Sequence, residues 1–272
     1  MTASAIAGAL RVVPAVGWSG GRAGAMVERN VRVYRHAWLT LVSGFFEPLF
    51  YLLALGVGLG AMVGDVIGPD GQAVSYREFV APAMLAASAM NGAIFDSTYN
   101  VFFKLKYAKI YDAVLSTPMT TRDVAVGEIG WALGRGLIYS AGFLAVMLAL
   151  GLVSSWWALL VLPAALLIGF AFAGVGMAAT TFMRSPGDFG WILLVAFPLF
   201  FLSATFFPLS TYPEAWQPVV RWSPLYQGVD LVRSFTTGAV HPGLWASALY
   251  LALMGVVGLG VSTRRLDLLL LT

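Results

Sequence analysis

GLIYSAGFLAVMLALGLVSSWWALLVLPAALLIGFAFAGVGMAATTFM, residues 136–183, runs from Gly136 to Met183 without one charged side chain. A bilayer crossing takes about 20 consecutive apolar residues. The run is too long for one crossing and right for two joined by a tight turn. Gly151, Ser154 and Ser155, followed by Trp156 and Trp157, put that turn at a membrane interface, where tryptophan is enriched.

The rest of the chain has the same character. Of its 272 residues 59% are hydrophobic and 11% charged, against roughly 25% charged in an average globular protein, and the mean hydropathy is +0.82. These values exclude a soluble domain and point to an all-α membrane protein. Hydropathy predicts six transmembrane helices, over 38–63, 79–103, 124–152, 156–183, 189–207 and 243–263, within a single domain covering 1–272. With no internal repeat and no low-complexity linker, nothing in the chain calls for a second domain.

Six spans leave both termini on one side. That side would carry Arg11, Arg22, Arg29, Arg32, Arg35, Lys104, Lys106, Lys109, Arg122, Arg184, Arg264 and Arg265, and the other only Arg77, Arg221 and Arg233. Lysine and arginine accumulate in cytosolic loops, so both termini are expected in the cytosol. The same asymmetry accounts for the net charge of +3 and the pI near 9.3, which in a soluble protein would suggest nucleic acid; no nucleic-acid partner is expected. The first 37 residues carry five arginines and no uninterrupted apolar stretch followed by a cleavage site, so the first span is read as an uncleaved anchor. The chain has no cysteine, which excludes disulfides and thiolate metal sites.

Ahead of that span, Val27, Val31, Tyr34 and Trp38 recur at helical spacing between arginines. The pattern fits an amphipathic helix in the inner headgroup layer, or a solvated basic tail that sets orientation. Every lysine lies between Lys104 and Lys109. A helix over 105–116 would place Tyr107, Ile110, Tyr111, Val114 and Leu115 on one arc and Lys106, Lys109, Asp112 and Ser116 on the other, with Pro118 as its stop. Such an element can offer aromatic knobs to a soluble partner or simply anchor the chain at the cytosolic face. Between Pro208 and Pro242, prolines and aromatic residues alternate with charges; this reads as two short helices dipping into the outer leaflet, or as an ordinary extracellular loop.

Charges inside spans need partners. Glu47, Asp96, Glu128 and Arg135 form this set. Glu128 and Arg135 share a face but are too far apart to touch, whereas depth places Asp96 and Arg135 within reach of each other across two spans. The pair is either structural or part of a substrate or proton route. Phe45, Phe46, Phe50, Phe197, Phe200 and Phe201 are candidates to line a pathway for an amphiphile or to face lipid.

Several enzymatic readings fail. Gly17-Trp18-Ser19-Gly20-Gly21 matches a nucleophile motif only in letters, because Ser19 precedes any span, and His36 and His241 fall on opposite sides. Gly56, Gly58 and Gly60 lie in the first span, where small residues favour helix packing. There is no G-x-x-x-x-G-K-[ST] segment, so no P-loop holds ATP. No cofactor or metal is expected in the chain itself.

The run from Phe102 through Lys109-Ile110-Tyr111-Asp112-Ala113-Val114-Leu115-Ser116-Thr117-Pro118 to Asp123-Val124-Ala125-Val126-Gly127-Glu128 resembles the signature of ABC-2 type exporter permeases. It is most similar to the lipo-oligosaccharide (nodulation-factor) and daunorubicin-type groups. Ser223-Pro224-Leu225-Tyr226 with Asp230-Leu231-Val232-Arg233 resembles the segment before their last span. The resemblance implies a type V ABC exporter with an N-terminal connecting helix at 22–37, a coupling helix at 104–118 and a re-entrant pair at 208–240. Lys104, Tyr107, Lys109, Ile110, Tyr111, Asp112, Leu115, Thr117 and Pro118 would then couple to a cytosolic ABC ATPase subunit carrying ATP and Mg. A second permease, identical or paralogous, and membrane lipids complete the implied partners, in a bacterial cytoplasmic (inner) membrane. Glycolipid or lipid-linked saccharide export is the first expectation and drug efflux the second. A membrane scaffold that transports nothing is the rival from another class.

Overall fold

The computed structural model describes residues 21–34, 46, 49–50, 52–68 and 71–271. Residues 38–45, 47–48 and 51 of the expected first span, Phe45 and Glu47 among them, lie outside these, as do Ser19 and His36. The described chain is mainly helical, with four helices long and apolar enough to cross a membrane: 76–106, 121–149, 156–180 and 243–270. The apolar helix Pro186–Phe201 is shorter. The expected fifth span reached 207, but helix ends at Phe201 and the chain runs on through buried, non-helical Ser203, Ala204, Thr205 and Phe206. Pro198 sits one turn before that end, where its missing N–H costs the helix the bond to the Leu194 carbonyl.

In chain order, α1 is Gly21–Tyr34. A π-helical turn at Ala54–Leu59 leads into α2, Gly60–Val63. Strands β1, Asp65–Ile67, and β2, Ala73–Ser75, then pair antiparallel with Val66 opposite Val74. This hairpin departs from the all-α expectation; at three residues a strand, it is too short for hydrophobic alternation to reveal. The second span is α3, Tyr76–Phe95, a π segment, Asp96–Asn100, and α4, Val101–Lys106. Next come α5, Ile110–Leu115, and α6, Thr121–Ala149. A 3-10 turn at Trp156–Leu160 opens α7, Val161–Thr180. α8 is Phe189–Phe201, α9 Gln217–Trp222, α10 Pro224–Thr237 and α11 Gly243–Leu270.

Capping explains where the long helices begin. Ser75 Oγ accepts the Glu78 N–H while the Glu78 carboxylate accepts the Ser75 N–H at 3.2 Å, and Thr120 and Asp123 exchange the same pair ahead of α6. The two spans inside 136–183 meet at Leu150 and Gly151, the glycine in the left-handed conformation (φ 69°) that ends many helices.

The most extensive contact between helices in the described bundle is α7 against α11. A Cβ on Gly174 would stand 2.7 Å from the Gly255 carbonyl, and one on Gly258 would stand 2.4 Å from the Gly174 carbonyl carbon. The Ser262 hydroxyl reaches the Gly174 carbonyl at 3.3 Å. Small residues that admit close backbone approach are the usual glue of membrane helices, since lipid supplies no hydrophobic drive between them.

Two ends result. At one lie the hairpin, the 150–155 turn, α9, α10 and the start of α11, joined where the Ser154 N–H donates to the Thr236 carbonyl. At the other lie α1, α4, α5, the start of α6, the 181–188 turn and the end of α11; there Thr121 donates to Asp267 and the Arg265 guanidinium covers Phe182. Between Pro208 and Pro242 the chain forms the short helices α9 and α10. α10 buries Leu225, Val229, Leu231 and Val232 against the core.

Candidate functional site

The segment after the second span is not one helix. α4 ends at Lys106, Lys109 takes left-handed backbone (φ 47°), and only then does α5 form. The break turns the apolar arc inward. Ile110, Val114 and Leu115 pack against the core, and Tyr111 is fully buried. This corrects the expectation that Tyr111 offers a knob to a partner: it is covered by the protein's own body, and Ile110 and Leu115 are half-covered. Lys104 is corrected likewise, since it turns back into the protein. Tyr107 is 62% exposed but stacks on Phe103 at 5.3 Å, the end of a ring series through Tyr99 and Phe95. The face left outward is Lys109, Asp112, Ala113, Ser116, Thr117 and Pro118.

Beneath α5, four elements share one carboxylate. Glu128 Oε2 accepts from Lys104 Nζ at 2.7 Å and from Asn30 Nδ2 at 3.1 Å, and Glu128 Oε1 accepts from the Tyr111 hydroxyl at 3.1 Å. Lys104 also donates to Asn30 Oδ1 at 3.2 Å. The Glu128 side chain is 3% exposed. A buried charge is tolerable when paired and hydrogen-bonded, and both conditions hold here. Burial, then the Glu128 charge, hold the Tyr111 phenol well above its ordinary pKa, so it stays a neutral donor. Close backbone approach brings α1 to this point: a Cβ on Gly127 would come within 2.5 Å of Met26 Cβ. The sequence singled out Glu128 and Lys104 but not as partners, and Asn30 not at all. Met26 and Asn30, both buried, mark the inward face of α1, while Val31 from the expected apolar stripe stands 48% exposed.

Two turns deeper, Arg135 Nη1 lies 3.1 Å from Asp96 Oδ1, which also accepts from Asn100 Nδ2 at 2.7 Å. Both side chains are under a tenth exposed. The Arg135 guanidinium lies 5.3 Å from the Tyr34 ring and 5.7 Å from the Tyr139 ring, within cation–π range. Asp96 opens the π segment, an irregularity frequent at functional sites. A narrow crevice beside it is lined by Ser88, Ala89, Gly92, Asp96, Gly136, Tyr139 and Ser140.

The five described phenylalanines of the expected pathway do not behave as a set. Phe197 and Phe201 are 58% and 53% exposed, Phe200 packs inward against Phe206, and Phe46 and Phe50 stack at 6.0 Å on the exposed surface. Toward the opposite end, buried Arg233 donates to the Phe79 and Ala204 carbonyls at 3.3 and 3.0 Å and covers the Phe79 ring.

A family model described as ABC-2 type transporter matches residues 22–236. Nodulation protein J of Rhizobium leguminosarum bv. trifolii is 38% identical over 80% of this chain and 81% of its own length. Nodulation protein J of Rhizobium meliloti (strain 1021) is 36% identical over 87% and 89%. The inner membrane transport permease YadH of Escherichia coli (strain K12) is 24% identical over 77% and 79%.

Proposed function

The chain belongs to the ABC-2 type transporter family, and on that premise we propose that it is the permease of an ATP-driven exporter in a bacterial cytoplasmic membrane. Six spans, α1 as connecting helix, α5 as coupling helix and α9 with α10 as a re-entrant pair complete this reading. The end bearing α1, α5, Arg122, Arg184, Arg264 and Arg265 is the cytosolic one, by the excess of basic residues there. A separate ABC subunit supplies ATP, Mg and hydrolysis, and two permeases, identical or paralogous, stand side by side.

The observation that carries the reading is the division of the 104–118 segment. Its outward face is mainly polar, with Lys106, Lys109, Asp112, Ser116 and Thr117 exposed beside the Tyr107 ring, while its inward face is bolted to α6 through Tyr111 and Glu128. A surface that must receive a push is backed by a rigid contact. The substrate is an amphiphile, first a glycolipid or lipid-linked saccharide. Exposed Phe197 and Phe201 suit acyl chains, sugar faces or flat drugs better than small ions, which need convergent oxygen ligands. The relatives' name associates them with nodulation.

Affinity purification of the permease should bring with it an ABC ATPase. In vesicles, that complex should hydrolyse ATP faster with glycolipid than with free sugars; stimulation by daunorubicin instead would favour drug export, and by neither would reject the amphiphile reading. Lys109→Cys should react with an impermeant maleimide only from the cytosol and Ala73→Cys only from outside.

A further inference from the structure

We infer that Glu128 is the junction through which movement of α5 reaches the membrane helices, with Tyr111 and Asn30 as the positioning residues on either side of it. The inference rests on the docking role proposed for α5. A helix of six residues has no stability of its own, so its anchors decide where it sits. Tyr111 is its one buried side chain, and the phenol's bond at 3.1 Å goes to Glu128.

From Glu128 the contacts divide. Lys104, at 2.7 Å, ties the carboxylate to the end of the second span, and Asn30, at 3.1 Å, ties it to α1. One turn beyond Asn30, the Tyr34 ring lies against the Arg135 guanidinium, whose partner is Asp96. Two rungs therefore link the second span and α6, Lys104 with Glu128 and Asp96 with Arg135, and α1 touches both. The π segment Asp96–Asn100 lies between the rungs on the second span. A displaced α5 cannot carry its phenol along without moving the shared carboxylate, and that carboxylate cannot move without α1 following or losing Asn30. The hydrogen bonds involved are charge-assisted, the stronger class.

The test uses the full permease with its co-purified ATPase in nanodiscs, comparing hydrogen exchange without nucleotide and after trapping with ATP and vanadate. Tyr111→Phe removes one hydroxyl and keeps the buried ring. It should retain the ATPase, its hydrolysis and the nucleotide-driven exchange change at 109–118. The change at 21–34 and 121–135 should shrink at least about fivefold, as loss of a bond to a charged acceptor allows. Lys104→Arg, which preserves charge and donor, should behave as the unaltered protein. An undiminished change at 21–34 and 121–135 in Tyr111→Phe overturns the inference, as does absence of any nucleotide-driven change there in the unaltered complex. If the unaltered permease retains no ATPase, the docking reading fails first and the junction with it.

Discussion

The Asp96–Arg135 pair lends itself to a double-mutant cycle whose asymmetry follows from the coordinates. Asp96→Asn leaves the buried guanidinium facing the Tyr34 and Tyr139 rings at 5.3 and 5.7 Å, with no other carboxylate paired to it among the described residues. Cation–π contacts give about 0.5–2 kcal/mol, too little to offset an uncompensated buried charge, so the substitution should cost about 3–5 kcal/mol. Arg135→Gln leaves Asp96 with the Asn100 amide at 2.7 Å. A hydrogen bond to a charged group returns about 1.5–3 kcal/mol, and this variant should lose only about 2–3 kcal/mol. Independent effects would sum to roughly 5–8 kcal/mol; the double variant, with two neutral amides able to bond each other, should lose about 2–4 kcal/mol. SDS titration of the solubilised protein, followed by circular dichroism, measures all four corners. Strict additivity, or a larger loss for Arg135→Gln than for Asp96→Asn, would refute the pairing as the source of stability.

Gly258→Val drives side-chain carbon into the backbone of α7, where a Cβ already meets Gly174 and Val175 at 2.4 and 2.6 Å; backbone yields poorly, so about 1–3 kcal/mol or more should go, and an unchanged thermal midpoint would argue against the close α7–α11 contact. Ala113→Trp, on the exposed face of α5, should abolish co-purification of the ATPase at a stability cost within about 0.5 kcal/mol, whereas Tyr111→Asp should fail to fold; the reverse pattern in pull-down and melting would place the docking face on the other side. Tyr111 keeps its proton beyond the ordinary phenol range. Its contribution is thus level below pH of about 10 and falls as pH rises further, because the unfolded phenol ionises first; absorbance titrations at 295 nm of the native protein and Tyr111→Phe should superimpose until unfolding, and an extra phenol titrating in the folded state would contradict the burial.

The sequence alone determined the membrane class. The uncharged stretch 136–183 divided at Gly151, because apolar length and turn chemistry are local properties. It also singled out Glu128, Asp96 and Arg135, because a charge in an apolar run is visible without any fold. The direction in which α5 faces was decided by tertiary structure. Helical periodicity defines an apolar arc but not what covers it, and the left-handed turn at Lys109 swung that arc into the protein. Asn30, Lys104, Tyr111 and Glu128 lie on four elements, with up to 98 residues between partners. Only the packing of α1 on α6 at Gly127 brings Asn30 to the carboxylate, a close approach that depends on the three-dimensional path of both helices. The π segment escaped for a related reason: it leaves no mark in hydropathy, and the bond its Ser97 carbonyl accepts from Thr180 at 3.0 Å exists only once α7 packs beside it.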